Sequence, residues 1–223
     1  MVDHTDRNAE IIDEWDRGWG WIADPSETIR RASHALSING EVWLLDPVDF
    51  DGLDELLANS GRVAGIVIQL DRHKRDADRI AQRHDVPIYI HEIMDSIATA
   101  FDAEVNQFAE TLPGTGFEAI PLVNNRFWRE IALFNDNTDT LIIPETVGTL
   151  EFFCVGSERL GVSPVLRFFP PKQQLMGLDP NRVLVGHGEG ILTDASTALS
   201  QALQYSRRNA PRLYLKLVKN FIG

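Results

Sequence analysis

The chain of 223 residues carries 33 acidic against 21 basic residues, a formal charge of -12, 43% hydrophobic residues and one cysteine. That hydrophobic share builds a core and excludes a disordered acidic tail. The lone Cys154 excludes a disulfide framework or a cysteine zinc cluster and fits a reducing cytoplasm.

The surplus of acid repels phosphate backbones and anionic lipid, so nucleic acid and membrane surfaces are excluded as default partners. The opening MVDHTDRNAE is polar, and no apolar run approaches the roughly 20 residues that cross a bilayer, so the expected location is the cytoplasm. The bases are 17 Arg and only 4 Lys, the acids 19 Asp and 14 Glu. An Asp-rich, Lys-poor acidic surface suits a halophilic cytoplasm, where charge is strongly screened and carboxylates keep a protein hydrated.

No repeat or low-complexity linker interrupts the chain, so one domain over 1–223 is expected, with residues 1–17 as a polar lead that is helical from Asn8 to Arg17. Gly18 to Ile22 and Ala32 to Leu36 read as short strands, and Glu41 to Asp46 as a buried strand ended by Pro47. Residues 51–59 form a short helix capped by Asp51, with Leu53, Leu56 and Leu57 on one face. Val63 to Leu70 is a second apolar strand, 76–84 a helix, and Val86 to Ile90 a third strand. This is a βαβαβ passage of parallel strands, the kind in which ligands gather at the carboxyl ends.

The stretch Glu92 to Gly116 carries an amphipathic set, Ile97, Phe101, Val105 and Phe108, that suits a helix over the cleft or a contact between copies. From Phe117 the pattern becomes a meander, with strands at 118–123, 129–134 and 139–143. A short strand, Val183 to Val185, and helices near 193–208 and 211–221 follow. Two sheets sandwiched by helices hold this order better than one open sheet.

Three places set ionisable residues directly after apolar strands: Asp71-Arg72-His73-Lys74-Arg75-Asp76, Pro144-Glu145, and Gly186-His187-Gly188-Glu189-Gly190. Strand ends present side chains from a rigid scaffold into one crevice, and Asp, His and Glu are donors for a hard or borderline cation. Gly186 and Gly188 allow close backbone approach beside His187. Taken alone, Asp71 to Asp76 also suits a helix cap with a solvated first turn, and His187 a turn residue.

In these residues the chain resembles the metallo-β-lactamase superfamily of metallohydrolases, whose signature after such a strand is His-x-His-x-Asp-His at a loop-to-helix junction. Asp71 to Asp76 has that placement, Val185-Gly186-His187-Gly188 looks like the superfamily's late Gly-His tract, and Leu141 to Glu145 looks like its strand ending in a bridging carboxylate. Trp43-Leu-Leu-Asp46-Pro47 is similar to its early strand ending in aspartate. The resemblance spans roughly residues 18–208 in unbroken order and implies an α/β (α+β) fold, a four-layer αββα sandwich of two mixed β-sheets flanked by helices.

Position by position, Asp71 stands for the first histidine, His73 matches the second, Arg75 stands for the aspartate and Asp76 for the last histidine. Arg126 falls where the next histidine belongs, Glu145 replaces the bridging aspartate and His187 is kept. Arginine has no lone pair to give and repels cations. The expectation is therefore a rebuilt, metal-poor site in which Arg75 and Arg126 neutralise the carboxylates and bind a small anionic or polar ligand. The alternative is a mononuclear hydrolase of an ester, thioester, lactone or phosphodiester, in which Asp71, His73, Asp76, Glu145 and His187 hold one Zn, Mn or Fe ion. A structural remnant serving as a subunit surface, and with it a homo-oligomer, stays open.

Overall fold

The computed structural model describes residues 9–222. Seven strands form the first sheet in sequential order: β1 (Glu10–Trp15), β2 (Gly18–Ile22), β3 (Ala32–Ile38), β4 (Glu41–Leu45), β5 (Arg62–Ile68), β6 (Ile88–His91) and β7 (Val105–Phe108). Pairing is antiparallel from β1 to β4 and parallel from β4 to β7. The crossovers β4 to β5 and β5 to β6 run through helices α1 (Leu53–Ser60) and α2 (Ala77–His84).

The second sheet uses β8 (Thr111–Leu112), β9 (Phe117–Asn124), β10 (Arg129–Asn135), β11 (Thr140–Ile143) and, after a ribbon of β12 (Val147–Gly148) with β13 (Gly161–Val162), strand β14 (Arg182–Val185). Its spatial order is β14-β11-β10-β9-β8, with only β11 and β14 parallel. Helices α3 (Lys172–Leu175) and α4 (Ala195–Ile222) complete the chain.

Alternation along the strands builds the layers. In β4, Val42 and Leu44 join the cluster under α1 and α2, while Trp43 and Leu45 join Ile131, Leu133 and Leu184 between the sheets. In the second sheet, Leu141 and Val183 face α4 through Leu199 and Leu203. At the centre of the sheets both faces are covered, which is why β4, β5, β11 and β14 read as unbroken apolar runs. The result is the expected αββα sandwich of two mixed sheets. Among the described residues no helix is long and apolar enough to cross a membrane.

Several local expectations are corrected. The described part of the lead is strand β1, not a helix; residues 1–8 lie outside the described residues. Ile12 buries against Ile22 and Ala32, and a bulge between Ile12 and Trp15 puts Asp13 at φ +52°. There the Asp13 carboxylate accepts the Gly190 N–H at 2.8 Å and faces His34 Nε2 at 3.4 Å. Asp13→Ala takes the acceptor from that part-buried N–H, so a loss of about 1 kcal/mol is expected in urea unfolding.

Helix α1 is preceded by Gly52 at φ +92°, with no side-chain cap from Asp51, and Leu56 is exposed. Helix α4 is continuous through Pro211 because Ala210 and Leu213, buried on either side, hold it against the body. The 92–116 stretch forms a 3-10 helix at Glu92–Ala100 and strands β7 and β8, not one amphipathic helix over the cleft. Ile97, Phe101 and Val105 pack on the first sheet's core, and Phe108 packs between the sheets.

Candidate functional site

The carboxyl ends of β4, β5, β11 and β14 open onto one crevice of ≈ 490 Å³, whose lining includes Arg31, Arg72, His73, Arg75, Glu145 and His187. The loop bearing His187 is pressed between two neighbours. Gly186 donates to Pro144 O and its own oxygen accepts the Ala32 N–H; a Cβ there would lie 2.4 Å from Pro144 O. Gly188, at φ +88°, leaves no space for a side chain beside Thr149.

His73, Glu145 and His187 each offer one ligand atom, all within 4.8 Å of one another. His73 Nδ1 lies 3.0 Å from Asp46 Oδ2, and His187 Nδ1 lies 2.8 Å from Ile29 O. Both acceptors fix the proton on Nδ1, which leaves each Nε2 lone pair free; His73 Nε2 stands 3.8 Å from Glu145 Oε2. Burial, then the Arg75 charge, holds both imidazoles below the ordinary histidine range, His73 far below, so both are neutral at pH 7.

Arg75 forms the floor. At φ +44° it leaves the loop before α2 and sends Nη1 to Ala32 O (2.5 Å) and Asp46 O (2.7 Å), and Nη2 to Gly186 O (3.2 Å). One guanidinium thus ties β3, β4 and β14 together. Burial lowers its pKa to about 10, so it stays charged, and its Nε–H is buried with no hydrogen-bond partner. Asp46 is its counter-charge: burial pushes that carboxyl up to about 6, and Arg75 is the first influence pulling it back.

Arg72, which sequence reasoning passed over, is the second guanidinium. Its Nη2 donates to Glu145 Oε2 at 3.0 Å, its Nη1 to Phe127 O at 3.2 Å, and its Cζ lies over the Trp128 ring, 4.9 Å from the centroid. Arg31, paired with Glu27, adds charge at the rim. The structure therefore brings together His73, Arg75, Glu145 and His187. The Asp71 carboxylate instead accepts the Arg129 N–H, and that of Asp76 accepts the Asp49 N–H. Arg126 is exposed in the β9–β10 turn, over the Phe127 ring.

Glu130, also missed, organises this corner from within β10. Its Oε1 accepts the Glu145 and Thr146 N–H groups at 2.9 and 2.7 Å, and its Oε2 accepts the Trp128 indole N–H at 2.7 Å. Burial pushes its pKa from 4.5 to about 7. The folded state then holds the proton more tightly, so the contribution of Glu130 to stability is full below 4.5 and falls as pH rises toward 7. Glu130→Gln should lose about 1–3 kcal/mol, because an amide N–H meets donors, and should abolish this fall in a pH series of urea melts.

No protein-family model matches the sequence, and no curated protein matches it. Solved structures do match. A metallo-β-lactamase from Pontibacter korlensis superposes with TM-score 0.63 at 13% identity, covering 90% of this chain and 99% of that one. The DIM-1 metallo-β-lactamase gives 0.64 at 13% identity, covering 90% and 97%, and TMB-1 gives 0.65 at 10%, covering 91% and 98%. The chain has the metallo-β-lactamase fold. That fold implies metal, and here the donor set decides what fits. A dinuclear pair does not fit, because only three of the five candidate donors converge and a guanidinium lies at their floor. A single ion fits the two Nε2 lone pairs and the Glu145 carboxylate, in competition with Arg72 for the latter.

Proposed function

We propose that this protein is a ligand-binding relative of the metallohydrolases, with an arginine-centred crevice that takes a small anion. The observation that carries the reading is the pair of guanidiniums that line the crevice: Arg75, part-buried at its floor, and Arg72, which already pairs with Glu145. They supply internally the positive charge that a cation would bring, and a guanidinium is a receptor for carboxylate or phosphate. The neutral imidazoles then serve as hydrogen-bond acceptors for a hydroxyl or amide on the ligand.

The test is thermal unfolding with small carboxylates and phosphates, beside elemental analysis of protein purified without chelator. A ligand at 100 times its Kd stabilises by about 2.7 kcal/mol, about 5–10 °C for a chain of this size. Stabilisation by anions of metal-free protein is the expected result. Stoichiometric transition metal, with no anion response, overturns it.

A second reading is favoured by one observation, the tethering of both Nδ1 atoms, which turns two imidazoles into good ligands beside Glu145. A hydrolase using one Zn, Mn or Fe ion on esters, thioesters, lactones or phosphodiesters would follow. Metal-dependent turnover that disappears in both His73→Ala and His187→Ala establishes that reading.

A further inference from the structure

Apart from its charged floor, the crevice has a second surface that the anion reading leaves unused. Leu150, Phe152 and Phe153 line one side, and Ile29 lines it beside the loop that receives His187. Phe153 is buried and stacks on His187, with centroids 6.0 Å apart and planes 26° apart. Phe152 meets Phe153 edge to face at 5.4 Å and is itself 51% exposed; Ile29 is 54% exposed. The aromatic chain His187, Phe153, Phe152 therefore leads from the guanidinium floor to the solvent.

Two large apolar side chains half in water at the mouth of a charged pocket are left with surface to bury, and a ligand that covers them gains by that burial. An anion such as acetate or inorganic phosphate satisfies only the floor. Resting on the anion reading, we propose that the crevice is built for an amphipathic anion, a carboxylate or phosphate head on an apolar chain or ring, with the head at Arg75 and Arg72 and the body between Ile29 and Phe152.

Calorimetry with acetate, butanoate, hexanoate and octanoate, the matching alkyl phosphates, and octan-1-ol tests it on the full chain. Burying a methylene strengthens binding up to about fourfold, so Kd should fall about threefold per added carbon along the series. The carboxylate and phosphate arms show which head the floor prefers. Octanol, lacking the charge, should bind at least tenfold more weakly than octanoate.

Phe152→Ala should weaken octanoate about tenfold and leave acetate unchanged; Ile29→Ser, at the second exposed apolar residue of the lining, should flatten the same slope if the first variant folds poorly. Phe169→Ala, an exposed aromatic outside the crevice, should change nothing. Affinity that is flat with chain length, or a slope undiminished in the crevice variants, overturns the amphipathic inference while leaving the anion reading standing. Octanol binding as tightly as octanoate, or no anion binding at all, removes both.

Discussion

Arg75→Met is expected to destabilise the protein by about 1–3 kcal/mol, the cost of leaving buried acceptors without their donor. Three main-chain carbonyls, on Ala32, Asp46 and Gly186, lose a shared donor in a buried setting, and Asp46 is left without its counter-charge. The pH dependence identifies the cause. The Asp46 carboxyl is already raised from 3.8 to about 6, so its folded-state stability contribution falls as pH rises through that window. Without Arg75 the pKa climbs further and the window extends upward, so the stability difference between parent and variant should be larger at pH 8 than at pH 5. Arg75→Lys keeps the charge but loses the fork that spans three strands, and an intermediate loss is expected. Urea melts of the three proteins at both pH values are the measurement. A methionine variant within about 1 kcal/mol of the parent at pH 8 would show that the guanidinium does not hold the strand ends together.

Much of the architecture was legible because buried parallel strands announce themselves as apolar runs, and the polar residues that stop those runs sit at the strand ends. His73, Glu145 and His187 reach the crevice for that reason, with Asp46 buried behind His73. What pattern does not carry is direction after the strand has ended. Arg75 turns at φ +44°, which aims its side chain at the floor, while Asp71 and Asp76 on either side close backbone bonds elsewhere. Arg126 was placed by alignment to a motif, yet Asn125 Oδ1 accepts the N–H groups of Phe127 and Trp128 and forms a turn in which Arg126 is exposed. The second guanidinium comes instead from Arg72, whose position next to His73 gave no signal of its own. Strand β1 was hidden by its composition, since only Ile12 among its residues is fully buried and the bulge at Asp13 breaks the alternation. Glu130 was hidden for the opposite reason. One acid next to Arg129, at the head of an apolar run, looks like a solvent-facing strand position, and its four hydrogen bonds exist only once β10 lies beside the Glu145 turn.

Arg72→Ala should move the two candidate functions in opposite directions. The Arg72 side chain is 43% exposed, so its ion pair with Glu145 contributes at most about 1 kcal/mol to folding, and the variant should fold as the parent does. Its effect on the crevice is larger. An anion loses one of two guanidiniums, and a charge-assisted hydrogen bond of about 1.5–3 kcal/mol corresponds to roughly ten- to hundredfold weaker binding. A divalent cation gains twice: the Glu145 oxygen held at 3.0 Å by Nη2 is released, and a positive charge leaves the neighbourhood of the His73 and His187 lone pairs. Zinc affinity, read by competition with a chromophoric chelator, should rise about tenfold or more. Arginine-centred and metal-centred use of the same carboxylate are mutually exclusive, which is why one substitution separates them. If anion and zinc affinities both fall, Arg72 supports the shape of the corner through Phe127 and Trp128 and does not compete for Glu145. If zinc already binds the parent tightly and Arg72→Ala leaves it unchanged, the ion pair does not guard the site, and the single-metal reading takes precedence.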